Sequence, residues 1–248
     1  MASIGQHAVA RPASLIFARS GFVDRYFYFF LSLVVAGVVV AGFSRTVDQS
    51  LFHAAPPRPV LLWIHGAAFS GWVLFFILQS ALVRVRKVSV HRTLGWFGAA
   101  LGALMVSLGF VISIVMGRFD AVVLKHPDPA FLSIPFLDMF AFGTLLALAI
   151  LWRGKPEMHR RFLVLATCSL LDAGFGRFDY VFNHSLFFVC VDLVMLLGVA
   201  RDLLVDRRVH RVYAYAIPAL VLGQNLAIYL WRGAPSWWVS TCKETLGI

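Results

Sequence analysis

The sequence predicts an all-α protein: a polytopic membrane bundle of seven transmembrane helices, N-terminus in the cytoplasm and C-terminus outside. Three observations predict it. The 248 residues are 60% hydrophobic and 14% charged, with a mean hydropathy of +0.82, whereas a soluble domain carries about 25% charged residues. Apolar stretches recur at or near the length that crosses hydrocarbon as a helix, about 20 residues. Lysines and arginines gather in alternate connections between those stretches, which is the asymmetry that sets orientation.

Residues 1–25 hold Arg11, Arg19 and Arg25 without a compact apolar run or a small-residue cleavage site. A cytoplasmic segment with no removable signal is expected, the first apolar run staying as an anchor. The membrane domain is expected over residues 26–231, with spans at Tyr26 to Phe43, Val60 to Val83, Leu94 to Gly117, Phe131 to Trp152, Phe162 to Arg177, Val181 to Ala200 and Val212 to Trp231. The fifth span is short and turns tightly through Arg177, Phe178, Asp179 and Tyr180 into the sixth. Two spans joined by a hairpin are expected there, because one continuous helix would bury those charges.

Fifteen of the 22 basic residues fall in the N-terminal segment and the second, fourth and sixth connections; the other seven lie on the opposite side. Pro56, Pro57 and Pro59 stiffen the first outer connection, and Pro127 and Pro129 a later one. Neither reads as a domain linker. Residues 232–248 form a short outer tail. The net charge of +10 sits in loops, as topology determinants do, and nothing points to nucleic acid. Cys168, Cys190 and Cys242 form neither a disulfide framework nor a CxxC motif.

Three inner helix starts read alike: Val90-His91-Arg92, Met158-His159-Arg160-Arg161 and Val209-His210-Arg211. Interfacial His and Arg commonly snorkel to lipid phosphates, which accounts for His210. His91 and His159 open odd-numbered helices that can be neighbours. Two imidazoles facing each other there can hold a haem iron or share a smaller metal. Arg92, Arg160 and Arg161 would then meet the haem propionates. Gly95, Gly98 and Gly102 continue the stripe that His91 begins. Close helix packing by small residues explains such a stripe, and a flat porphyrin lying against it is the sharper alternative.

A second set of polar residues is expected as a layer in the outer half of the membrane: His65, Asp138, Asp172, Asp192 and Asn225, with Arg177 as a partner for Asp172 or Asp138. An intramembrane carboxylate costs at least ~2.5 kcal/mol, so these acids should face the interior, protonated or paired. A register-fixing hydrogen-bond network explains them in structural terms. His65 and His184 with Asp138 and Asp172 also have the donor types zinc takes. His65, Trp72 and Gln79 recur at seven-residue intervals and share one helix face, the arrangement of a packing seam.

The segments His65-Gly66, His91-Arg92-Thr93-Leu94-Gly95 and Met158-His159-Arg160, with Arg177, resemble those of a group of uncharacterised bacterial multi-pass membrane proteins, over roughly residues 60–177. The resemblance implies a bacterial inner membrane location and no activity. There is a looser likeness to b-type membrane cytochromes, whose histidines on alternate helices hold haem in pairs; His91 and His159 match that alternation. Three function classes follow. The leading one is a membrane redox protein binding one haem b, with a quinone or electron-transfer partner. The alternatives are a metal-dependent membrane hydrolase using zinc at the outer His/Asp set, and a proton-coupled carrier of small solutes that needs no cofactor.

Overall fold

The computed structural model describes residues 21–248; Arg11 and Arg19 of the expected N-terminal segment lie outside the described residues. The described chain is all-helical, with no strand among those residues. In order it forms α1 (Phe22–Phe43), a π turn (Asp48–Phe52), α2 (Val60–Arg84), α3 (Val88–Val122), a 3-10 turn (Pro129–Leu132), α4 (Ser133–Leu151), α5 (Pro156–Cys168), α6 (Asp172–Phe175), α7 (Asp179–Asn183), α8 (Phe187–Val205), α9 (Arg211–Arg232) and α10 (Ser236–Leu246). Five helices are long and apolar enough to cross a membrane: Asp24–Phe43, Val60–Arg84, Val88–Val122, Arg211–Arg232, and Pro129–Leu151, which includes the 3-10 turn.

Local chemistry sets the helix ends. Pro59 precedes α2 and Pro156 opens α5, where the missing N–H costs nothing because no intrahelical acceptor exists for it. His210 caps α9, its Nδ1 accepting from the Val212 amide at 3.2 Å. α10 stops at Gly247, whose φ of +66° is the left-handed conformation that glycine adopts without a Cβ clash.

Contacts at the two ends of the bundle show how the chain runs. At one end the starts of α1, α3, α5 and α9 meet the ends of α2, α4 and α8. Arg84 lies 3.8 Å over the Tyr26 ring, His91 lies beside His159, His159 bonds Ala149, Arg201 pairs with Asp24 and the His210 amide reaches Asp202. At the other end Arg177 bonds Thr46, Arg58 bonds Asp120, Ser133 bonds Ala227 and Arg232 bonds Ser185. Seven segments therefore alternate in direction, the fifth broken into α5 and α6.

The core between them packs Trp72, Met105, Phe142, Leu165, Val191 and Met195, among others.

Several boundaries differ from the sequence expectation. The third helix runs over 35 residues, about 52 Å at 1.5 Å per residue, so it projects beyond a ~30 Å hydrocarbon core. The fifth segment is no single helix. After Cys168 the chain tightens into i→i+3 bonds, Leu170 to Thr167 and Leu171 to Cys168, while the Ser169 hydroxyl donates back to the Ala166 carbonyl at 2.8 Å. Residues 179–183 form the separate α7, so the sixth long helix begins at Phe187 and not at Val181, and it continues past Ala200 to Val205. The tail is not extended: α10 folds back, Trp238 donating to the Ala130 carbonyl at 3.0 Å and Cys242 and Leu246 packing on Leu132.

Candidate functional site

Polar side chains occupy three levels where α2, α4 and the broken fifth segment meet. On α2 the residues are His65, Trp72 and Gln79, about 10 Å apart along the axis. They share one face because seven residues make nearly two helical turns.

At the end of the bundle that holds Arg177, the buried carboxyls of Asp138 on α4 and Asp172 at the start of α6 stand within hydrogen-bonding reach of each other. Asp172 Oδ1 is buried with no protein partner, as is His65 Nδ1. Arg177 follows α6. Its Nε donates to Thr46 Oγ1 at 3.0 Å, another of its nitrogens donates to the Ala173 carbonyl, and its guanidinium lies 3.6 Å over the Phe43 ring. It is close enough to act electrostatically on both Asp172 and His65. The break between α5 and α6 is what brings Asp172 and Arg177 to this level.

Midway, Trp72 Nε1 donates to Thr167 Oγ1 at 3.4 Å. At the opposite end Gln79 is buried with both amide atoms unpartnered, and His91 stands beside the Gln79 backbone. The His91 and His159 rings are 6.2 Å apart, edge to face. His159 Nδ1 donates to the Ala149 carbonyl at 2.8 Å, which fixes the tautomer and leaves Nε2 free. His91 Nδ1 is buried without a partner.

The expected histidine neighbours thus meet, but the glycine stripe is already filled. A Cβ at Gly98 would strike Phe75, and one at Gly102 would strike Leu146; only Gly95 faces open space. At Gly98 and Gly102 the stripe is a seam of close helix packing. Arg161, expected on haem propionates, has all its guanidinium nitrogens bonded to protein. Its Nε and Nη2 form a two-pronged pair with Asp202 at 2.8 and 2.6 Å, Nη1 meets Glu157 at 2.6 Å, and Nη2 also meets Asp206 at 3.0 Å. Arg160 is held by Glu157 at 2.5 Å, and Arg92 is exposed.

The expected zinc set is not gathered in one place. His184 is exposed on the loop after α7, its ring 4.3 Å from that of Tyr180. No group of three or more His, Cys, Asp or Glu among the described residues is placed to hold a metal ion. Asn225 is exposed and donates back to its own helix at Val221, 2.7 Å away. Its neighbour Gln224 faces inward and bonds Asp192 at 3.1 Å. One residue along a helix is a rotation of 100°, enough to exchange the two faces.

Sequence reasoning missed an ion network beneath the histidine end. Arg201 is buried and bonds Asp202 at 2.8 Å, Asp206 at 2.7 Å and also Asp24. Burial pushes the Asp202 carboxyl up, but hydrogen bonds from Arg161 and Arg201 outweigh it and hold the group below its ordinary value. Glu157 is held low by the same opposition of burial against its bonds to Arg161 and Arg160. Arg161 is pushed up, the acids overcoming its burial. His210 is pushed down by burial and by the Arg161 charge. The signal in the sequence was Arg201-Asp202 at the end of an apolar run, where two charges are tolerated only if paired.

No family model matches this chain, and neither a curated protein nor a solved structure is significantly similar to it.

Proposed function

We propose that the chain is a bacterial inner-membrane protein that crosses the bilayer seven times, its histidine end in the cytoplasm, and that it carries protons through the bundle, coupled to a small solute. The observation that carries this reading is the buried pair Asp138 and Asp172, drawn together beside Arg177. Two carboxyls at hydrogen-bonding range in a dry interior attract when they share a proton and repel when both are ionised. A device that holds one proton near a fixed cation releases it when geometry or a second ligand changes the balance. Trp72–Thr167 and Gln79 follow from that acid pair along one face of α2 and the broken fifth segment, and the His91–His159 pair stands at the far end beside the Gln79 backbone. Imidazole is the group suited to pass a proton on at cytoplasmic pH.

Infrared difference spectra of the reconstituted protein across a pH titration test the proton site without needing the solute. The expected result is a protonated-carboxyl C=O band that disappears in Asp172→Asn and in Asp138→Asn, with proton flux into liposomes falling at least ten-fold in both. A band unchanged by either substitution overturns the assignment.

The His91–His159 contact favours a second reading, a redox protein in which those imidazoles ligate a haem that accepts and passes single electrons, with a quinone or redox protein as partner. The closed seam at Gly98 and Gly102 weighs against it. A Soret band that shifts on dithionite reduction and vanishes in His91→Ala would put this reading ahead.

A further inference from the structure

A cavity of about 280 Å³ opens on the outer surface of the bundle at its histidine end, between α4, α5 and α9. Leu148, Met158, Phe162, Val212 and Ala216 form its apolar part, and Arg211 and Tyr215 complete the lining. Arg211 and Tyr215 are exposed, and Arg211 makes no hydrogen bond or ion pair with any described residue. Arg207 and Arg208, in the connection before α9, are likewise exposed and unbonded among the described residues. This is a different population from Arg160, Arg161 and Arg201, whose charges are met by acids of the network.

We propose that this groove is a binding site for an anionic phospholipid from the leaflet at the histidine end. The acyl chain lies against Leu148, Met158, Phe162, Val212 and Ala216, and the headgroup phosphate meets Arg211. The charge pattern selects the occupant. An apolar floor alone accepts any lipid tail or detergent, but Arg211, a cationic side chain of the lining without a protein partner, favours a negative headgroup over a zwitterionic one. An arginine provides the planar donor fork that phosphate accepts, and the Tyr215 phenol belongs at the same interfacial depth. The inference rests on the membrane reading above, not on proton transfer.

Native mass spectrometry of the full-length protein, released from nanodiscs of equal phosphatidylglycerol and phosphatidylcholine, tests it. The expected result is preferential retention of phosphatidylglycerol, reduced about five-fold in Arg211→Ala with phosphatidylcholine unchanged. Ala216→Phe, which fills the floor, should lower retention of both lipids. Arg86→Ala, an exposed cation in the connection between α2 and α3, should leave it as in the wild type, and circular dichroism monitors the fold of each variant. Equal retention of the two lipids by the wild-type protein, or unchanged retention in both groove variants, overturns the site. A chain that stays in solution without detergent would instead overturn the membrane reading, so the two failures are distinguishable.

Discussion

Asp202 ties α8 to α5 through paired charges. It is fully buried, both its oxygens face guanidinium groups, and the nearest compensating cations, Arg161 and Arg201, are buried as well. A buried pair adds little over a well-packed apolar pair, but removing one partner leaves the other charge uncompensated. Asp202→Asn should therefore lower stability by about 3–5 kcal/mol, measured by thermal unfolding in detergent. Because the folded carboxyls of Asp202 and Glu157 titrate below their ordinary values, their contribution is fully present above the unfolded range of about pH 4 and is lost as pH falls through the folded values. The wild-type protein should lose stability on acidification below about pH 4, and Asp202→Asn should lose less over the same interval. Equal acid sensitivity in the two would remove the network from the account. Adjacent Arg201 and Asp202 mark that charges must pair here, but the Arg161 partner was not legible in the sequence: Arg161 and Asp202 are 41 residues apart, and nothing local joins them. His91 and His159 were legible because each opens a helix with the same His-Arg step at the same bundle end. The acid layer was half legible, since hydropathy gives depth but not the direction a side chain faces, hence the exchange of Asn225 for Gln224.

At the scale of elements, the broken fifth segment decides where the acid pair sits. α6 is a single turn lying against α1, and the approach is made through two glycines. A Cβ at Gly42 would strike the backbone of Gly174, and one at Gly174 would press on Val38. A backbone atom cannot rotate away as a side chain can, so Gly42→Ala should push α6 off α1 and cost on the order of 1–3 kcal/mol. Gly37, on the same helix, has open space at its Cβ position, and Gly37→Ala should be neutral or gain up to about 1 kcal/mol from helix propensity. Thermal unfolding of the two variants in one detergent compares them directly, and equal behaviour would deny the close approach. If α6 shifts, Asp172 shifts with it, so Gly42→Ala should also perturb the carboxyl infrared band while Gly37→Ala leaves it unchanged. The sequence located the segment as short and apolar. It did not show the break, because Ser169 and the glycines after it are compatible with a continuous helix until α1 packs against them.

For the whole molecule the seven-crossing reading turns on α5–α6 and α8, since five other helices have the length and apolarity to cross a membrane without them. Five crossings and seven both put the N-terminus and C-terminus on opposite sides, so the termini do not discriminate. The connection between α6 and α8 does. If both segments cross, residues 176–186 lie outside while residues 152–155 and 206–210 lie in the cytoplasm; if neither crosses, all three stretches are cytoplasmic. Length and charge favour crossing. α8 has 19 residues, about 28 Å of helix, against a hydrocarbon core of about 30 Å. Three charges spoil its apolar character: Asp192, which accepts from Gln224 of α9 at 3.1 Å, and Arg201 and Asp202, which lie at one end and bond each other and their neighbours. Paired charges at a helix end sit at the interface, and an acid bonded by a neighbouring helix faces the bundle and not lipid, so α8 remains able to span. On a cysteine-free background, Asn183→Cys should react in intact cells with a membrane-impermeant maleimide, while Arg208→Cys should react only after the membrane is opened. Both positions are exposed on the protein surface, so the difference reports the side of the membrane and not burial. Protection of Asn183→Cys in intact cells together with labelling after lysis would mean five crossings. Asp172 would then lie at the cytoplasmic face, and the proton path would lose its outer end.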